Sequence, residues 1–249
     1  MFKKIFSKKE FKPDQIKIYP CQVLKGAELE KLYYQGKYKP YTKEEIQQLL
    51  IKLLKIVPEY CRVMRIIREI PQNYLIAGTG RIDLRKDIEE EIRKNKKLAN
   101  KIKEIRFREV GFAMKQKSSI NQNLKLKKIE YQASNGKEIF LQIVNKQNIL
   151  FGLLRLRLEK LKKEPAMIRE LHVYGPTLKL GEKSKENLLG QHKGLGKQLM
   201  LEAEKLARKD KRKSIRVISG VGVREYYKSL GYVLDENGIY MKKGIVTPI

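Results

Sequence analysis

Tryptophan is absent from this chain, and cysteine and histidine occur only twice each in its 249 residues. Two cysteines, Cys21 and Cys61, cannot form a disulfide framework, so both are read as buried or incidental thiols of a reducing, cytoplasmic compartment. Long apolar runs are missing too. No stretch approaches the ~20 residues that a membrane helix needs, and Met1–Phe11 alternates lysine with Ile and Phe and has no continuous apolar segment of the secretory type. No membrane association is expected. Acidic residues are scarce: 28 Asp and Glu stand against 56 Lys and Arg. What remains is an adequate apolar share, 41%, enough for a substantial core in one large or two small domains.

The formal net charge of +28 is too large a field to leave out of any functional account. Any single lysine is ordinarily a solvated surface group, but the excess as a whole repels itself unless a polyanion or counter-ions relieve it. Nucleic acid fits the size of the imbalance, and a small acyl carrier accounts for only a few charges. Cations alternate with rings in the first hundred residues: Lys37, Tyr38, Lys39 and Tyr41, then Arg62, Arg65 and Arg68, with Arg81 closing the glycine-containing segment Ile76–Arg81. Such a mixture can hold phosphates by charge and bases by stacking. Around these residues the pattern predicts a helix over Ala27–Gln35 stopped by Gly36. A second helix runs from a capping box at Thr42 and Glu45 to Ile56, before Pro58. A strand follows over Cys61–Ile67, and one charged amphipathic helix over Leu84–Ile105.

The later half changes character. Gln191-His192-Lys193-Gly194-Leu195-Gly196 leads directly into a helical run, Lys197–Asp210. Glycines at 194 and 196 remove the Cβ atoms that would block a diphosphate, and the first helical amides lack intrahelical acceptors, so the segment reads as a pyrophosphate cradle for an acyl-CoA. Upstream, Lys137–Val144 and Leu150–Leu158 are strands joined by a turn at Asn145–Asn148, and Met167–Tyr174 is a third. The stretch Leu178–Asn187 is a loop. Downstream come a strand at Ser214–Ser219, a short helix at Arg224–Leu230, and a hairpin of Tyr232–Leu234 and Ile239–Lys242 around Asn237-Gly238. This order over residues 110–243 resembles the GNAT acyltransferases. The fold expected is therefore α/β: a mixed, mostly antiparallel sheet flanked by helices, after a basic helix-rich section.

Eight blocks in order resemble one family more closely, the catalytic subunit of Elongator, a tRNA-modifying enzyme. They are Lys17–Pro20, Gly36–Tyr41, Arg68–Pro71, Arg108–Gly111, Gly152–Arg157, Arg169–Gly175, Gln191–Gly196 and Val217–Tyr227. The resemblance implies two parts: residues 1–107 as a tRNA-binding connector like the end of a radical-SAM domain, and 108–249 as the acetyltransferase domain. It also implies tRNA and acetyl-CoA as ligands. The family's radical-SAM half holds an iron–sulfur cluster on three cysteines, whereas this sequence starts near where that half would end and has only Cys21 and Cys61. No cluster is expected, and a separate radical-SAM partner would have to run that step. Many relatives carry a cysteine group before the Arg108–Gly111 block; here Lys103–Phe107 stands in its place, so no zinc or other metal is expected.

Within the acyl site, the resemblance implies that main-chain groups of Leu171, His172 and Val173 pair with the pantetheine. Gln191, His192, Lys193, Gly194, Leu195 and Gly196 would hold the phosphates. His172 is read as a base or as a hydrogen-bonded structural group. Glu170 orients a water or His172, or forms an ion pair with an arginine. Tyr226 and Tyr227 fall where many GNAT enzymes place a tyrosine that protonates the departing thiolate. Because adjacent helix positions diverge by about 100°, one should reach the sulfur and the other should pack. The function expected is an acetyl-CoA-dependent step of tRNA wobble-uridine modification. Two alternatives stay open, a GNAT protein N-acetyltransferase and a non-catalytic tRNA-binding module, and the sequence specifies no oligomeric state.

Overall fold

A computed structural model describes the chain except for residues 81–82, 115–119, 122, 176–193 and 246–249. Two compact units divide after Phe107, with Lys9–Phe11 grouping with the second. In chain order the elements of the first are α1 (Lys4–Ser7), β1 (Gln15–Lys17), β2 (Val23–Leu24), α2 (Glu28–Tyr34), α3 (Lys43–Leu54), β3 (Arg62–Arg65), β4 (Leu75–Ala77), α4 (Leu84–Lys94), α5 (Lys96–Ala99) and the start of α6 (Ile105–Arg108).

Local chemistry accounts for these elements. Thr42 accepts from the Glu45 amide while the Glu45 carboxylate accepts from the Thr42 amide, so the capping box is complete, and α3 buries Ile46, Leu50, Ile51 and Leu54 along one stripe. β3 runs parallel to β1 and β2 pairs antiparallel with β4. One expectation fails. The helix read as continuous from Leu84 to Ile105 breaks at Asn95, which takes φ −110°, ψ 100° and turns its side chain to accept from the Leu98 amide. Asparagine competes with the helix for backbone donors, and here that competition wins over the charge pattern. A buried carboxylate then ties the pieces together. Glu104, wholly inaccessible, accepts from the amides of Val63, Arg106 and Phe107, and Arg85 reaches both Glu104 at 2.6 Å and the Val63 carbonyl at 2.5 Å.

The second unit holds α7 (Val110–Met114), β5 (Lys125–Ala133), β6 (Gly136–Val144), β7 (Leu150–Leu158), β8 (Ala166–Val173), α8 (Leu195–Lys209), β9 (Ser214–Ile218), α9 (Arg224–Ser229), β10 (Val233–Leu234) and β11 (Tyr240–Gly244). Its seven strands lie in the order β10-β11-β9-β8-β7-β6-β5, all antiparallel except the β8–β9 pair. This is the mixed, mostly antiparallel sheet with flanking helices that the sequence led us to expect. β5 was not anticipated. It forms a hairpin with β6 through Ser134 and Asn135, both at positive φ, a two-residue turn whose signal in the sequence is Asn135-Gly136.

α8 packs on β7 and β8, burying Leu199, Met200, Ala203 and Ala207. The opposite face carries a ladder of ion pairs. Glu138, almost fully buried, takes Arg157 and Arg169 at 2.8 Å each, and Arg157 extends to Glu159. No helix among the described residues is long and apolar enough to cross a membrane, and no group of three or more His, Cys, Asp or Glu among them could hold a metal ion.

Candidate active site

The site begins at the first turn of α8. Gly194 sits at φ 110°, a conformation L side chains rarely adopt, and no side chain among the described residues caps the helix. Its carbonyl accepts from the Gln198 amide at 2.8 Å, so the amides of the preceding turn point outward without intrahelical acceptors. Leu195 is buried and anchors the helix, leaving only its backbone for a ligand. At Gly196 an added Cβ would lie 2.7 Å from Tyr226 Oη and 3.7 Å from Val173 Cγ2. The glycine is needed because a tyrosine hydroxyl stands over the turn. A groove of about 390 Å³ opens from Gly194 along α8, lined by Leu126, Lys197, Gln198, Leu201, Glu202 and Lys205. Gln191, His192, Lys193 and the loop Leu178–Asn187 lie outside the described residues, as does Arg81.

Beside this turn the sheet opens. β8 pairs with β9 over Ala166–Ile168 and Ile215–Val217, after which β8 continues to Val173 in register with β7. The extra residue Arg169 shifts the β7–β8 register between Arg155 and Leu156, and the pleat then divides the side chains. Leu171 and Val173 lie on the α8 face; Glu170 and His172 lie on the other. Val173 marks the first face through its approach to Gly152 and Gly196. On the second, Glu170 accepts from Arg155 Nε at 2.7 Å, and the His172 ring is 4.4 Å from that of Tyr174. Sequence reasoning quoted Arg155 within a block but gave it no role. Its side chain is buried over the Phe140 ring, and only strand pairing shows that Glu170 is its partner.

The two adjacent tyrosines separate as helix geometry requires. Tyr226, 38% exposed, reaches the α8 turn, while Tyr227, 7% exposed, packs between Tyr226 and Tyr232 with ring centroids 5.2 and 6.1 Å away. Burial, and after it the neighbouring Tyr227, pushes the Tyr226 hydroxyl above its ordinary value; burial alone does so for Tyr227. A phenol held there keeps its proton at neutral pH and can donate it. Tyr226, Gly196 and Val173 thus meet at one end of the opening, with Glu170 and His172 on the far face of the same strand.

In the first unit, Lys37, Lys39, Arg65 and Arg68 are exposed, and Arg62 is half-buried on β3. Register places Lys17, which opens the first matching block but had no role assigned from sequence, beside Arg65. Tyr41 is exposed, and a hydrogen bond with Cys21, followed by burial, pushes the Tyr38 hydroxyl up to about 12.

Comparison with known proteins bears on both units. A family model for the Radical_SAM C-terminal domain matches residues 13–94. A tRNA uridine(34) acetyltransferase of Methanocaldococcus jannaschii is 40% identical, covering 98% of this chain and 46% of that protein. Elongator complex protein 3 of Saccharomyces cerevisiae is 36% identical, covering 98% of this chain and 44% of that protein. The solved structure of an N-terminally deleted Elp3 from Methanocaldococcus infernus superposes with a TM-score of 0.83 at 38% identity, covering 98% of this chain and 58% of that one. The chain therefore spans about half the length of the curated relatives it matches. With 36–40% identity over alignments that cover 98% of the residues, the chain belongs to the family of the Elongator catalytic subunit.

Proposed function

We propose that this chain binds acetyl-CoA at the first turn of α8 and carries out the acyl step of tRNA wobble-uridine modification on a tRNA held by the first unit. The observation that carries the reading is the Tyr226 hydroxyl standing over Gly196, at an uncapped helix start beside the opening between β8 and β9. The residues present fit the group. Outward amides and a glycine-lined turn suit a diphosphate, the edge of β8 at Leu171–Val173, beyond its pairing with β9, suits the amides of a pantetheine arm, and the groove along α8 leaves room beside the turn. Bound acetyl-CoA supplies an acyl group activated as a thioester, with a thiolate as its leaving group.

The chain's own groups divide the work. Tyr226 holds its proton on Oη at neutral pH and offers it where a leaving sulfur would emerge. Arg155 keeps Glu170 fixed, and Glu170 orients His172 or a water on the far face. His172 takes the proton of the acceptor, a water or a ribonucleotide. Lys37, Lys39, Arg62, Arg65 and Arg68 hold tRNA phosphates in this reading, together with Arg81. These 249 residues supply two cysteines, fewer than the three that hold the family's cluster, so in this reading the radical step draws on a cluster-bearing region supplied elsewhere. Basic protein tails would be repelled by the positive field, which weighs against a protein N-acetyltransferase.

The deciding experiment measures thiol release from acetyl-CoA with and without tRNA, alongside calorimetric acetyl-CoA binding to the parent chain and to Gly196→Arg. Slow release alone, stimulation by tRNA, and loss of binding in a folded Gly196→Arg variant are expected. Equal release with and without tRNA, or undiminished binding by the variant, overturns the reading.

A further inference from the structure

α9 has six residues, too few to hold a position by its own hydrogen bonds. Its place must come from what it touches, and it is tied to α8 at two points, once directly and once through Lys243. At one end Tyr226 Oη stands over Gly196. Beyond its other end the Leu230 carbonyl accepts from Lys243 Nζ at 2.9 Å, and the same ammonium reaches both oxygens of Glu204 at 3.0 and 2.9 Å. Tyr232 Oη donates to Glu204 at 3.1 Å, and Lys243 Nζ lies 5.5 Å from the Tyr232 ring centroid. Glu204 and Tyr232 are 5% and 1% exposed. Burial, then the Glu204 charge, pushes the Tyr232 hydroxyl well up, so it stays a donor. Glu204 belongs to α8 and follows Gly196 by eight residues, about 12 Å along the axis.

Burying a carboxylate and an ammonium costs desolvation, and apolar side chains could fill the same space. What the pair adds is a single orientation. Lys243 comes from β11, Glu204 from α8 and the carbonyl from the turn after α9, so three elements are joined at one point. From there the connection to Tyr226 is short. The Leu230 and Tyr232 amides both donate to the Tyr227 carbonyl at 3.0 Å, and Tyr227 packs against Tyr226.

We propose that Lys243, Glu204 and Tyr232 form a latch that positions the Tyr226 hydroxyl over the first turn of α8, with Lys243 and Glu204 as positioning residues for the acyl step. The proposal rests on the acyl-transfer reading above for its functional meaning, but not for its geometry.

The test uses the full chain and the paired variant Glu204→Gln/Lys243→Met, which removes both charges together, with Lys243→Arg as the conservative control. Ionisation of Tyr226 in the unliganded protein is followed by tyrosine ring-carbon NMR, its signal assigned by loss in Tyr226→Phe. In the paired variant the Tyr226 titration should fall towards the ordinary phenol value of about 10, and Lys243→Arg should keep it at the parent value. Thiol release should drop about tenfold with acetyl-CoA affinity unchanged, and the paired change should add nothing in a Tyr226→Phe background, the signature of coupled neighbours. Parent-like titration in the paired variant, or losses that simply add to those of Tyr226→Phe, overturns the latch. A parent chain that neither binds nor turns over acetyl-CoA defeats the acyl reading, while the titration still decides the latch. Should the paired variant fail to fold, Tyr232→Phe deletes one bond of the cluster and is read the same way, with a smaller fall expected and a parent-like titration again counting against the latch.

Discussion

Tyr226 and Tyr227 are neighbours with opposite duties, and the division follows from the 100° that a helix turns per residue. Tyr226→Phe should lower thiol release about 10²–10⁴-fold, the range for loss of one acid catalyst, with tRNA affinity intact. Tyr227→Phe should leave turnover near the parent, whereas Tyr227→Ala should destabilise the chain by about 3–5 kcal/mol through the cavity it leaves. A donor works only while protonated. Since burial holds Tyr226 above its ordinary value, the loss of turnover that follows from its ionisation should begin only above about 10, and Tyr226→Phe should lack that alkaline limb in a pH–rate profile. In the first unit the sensitive residue is Glu104. Its ion pair with Arg85 has side chains 0% and 12% exposed, and although Arg85 keeps Glu89 at 2.6 Å, Glu104→Ala leaves the amides of Val63, Arg106 and Phe107 without their acceptor and should cost about 1–3 kcal/mol in chemical unfolding. The sequence showed Glu104 only as one acid among lysines, because nothing local says that three backbone amides converge on it.

Among the elements, those with self-contained signals were legible. The Thr42 and Glu45 capping box, the Asn145–Asn148 turn and the glycines opening α8 each act over a few residues, so spacing alone reveals them. β5 was not legible, because its alternation is diluted by Lys125, Lys127 and Lys128 and its pairing with β6 is a tertiary fact. Those lysines suit an edge strand, where charge discourages further pairing. They also set a pH dependence. Hydrogen bonds from Lys128 and Lys137 hold the Glu130 carboxyl at about 2, against an ordinary 4.5. A carboxyl depressed by folding stabilises the fold above its unfolded value and ceases to as pH falls through the folded one. Amide protection along β5 should therefore decline between about pH 4.5 and 2, modestly because Glu130 is partly exposed. Glu130→Gln should weaken that decline in hydrogen exchange, and an unchanged decline would place its cause elsewhere.

For the whole molecule, the net charge of +28 governs association. Binding of tRNA should weaken steeply with salt, each phosphate neutralised contributing about 0.7–0.9 to the log–log slope. Arg65→Glu and Lys39→Glu, both at exposed positions, should weaken binding and flatten the slope without unfolding the chain. Arg62 is a poorer probe, being half-buried on β3. A filter-binding titration insensitive to salt would remove nucleic acid from the account.

Composition, periodicity and short motifs by themselves showed a basic chain, a series of strands and a glycine-opened helix suited to a diphosphate; the mixed sheet and the pair of tyrosines beside that helix were what the family resemblance implied. The former were legible because charge, pleat and helix starts are properties of neighbouring residues. Tertiary structure alone decided which tyrosine reaches Gly196, that Arg155 holds Glu170, that the sheet parts after Ile168, and that Lys243 meets Glu204 behind the site. Each of these is a meeting of residues distant in sequence, and it exists only where packing has fixed both partners in one place.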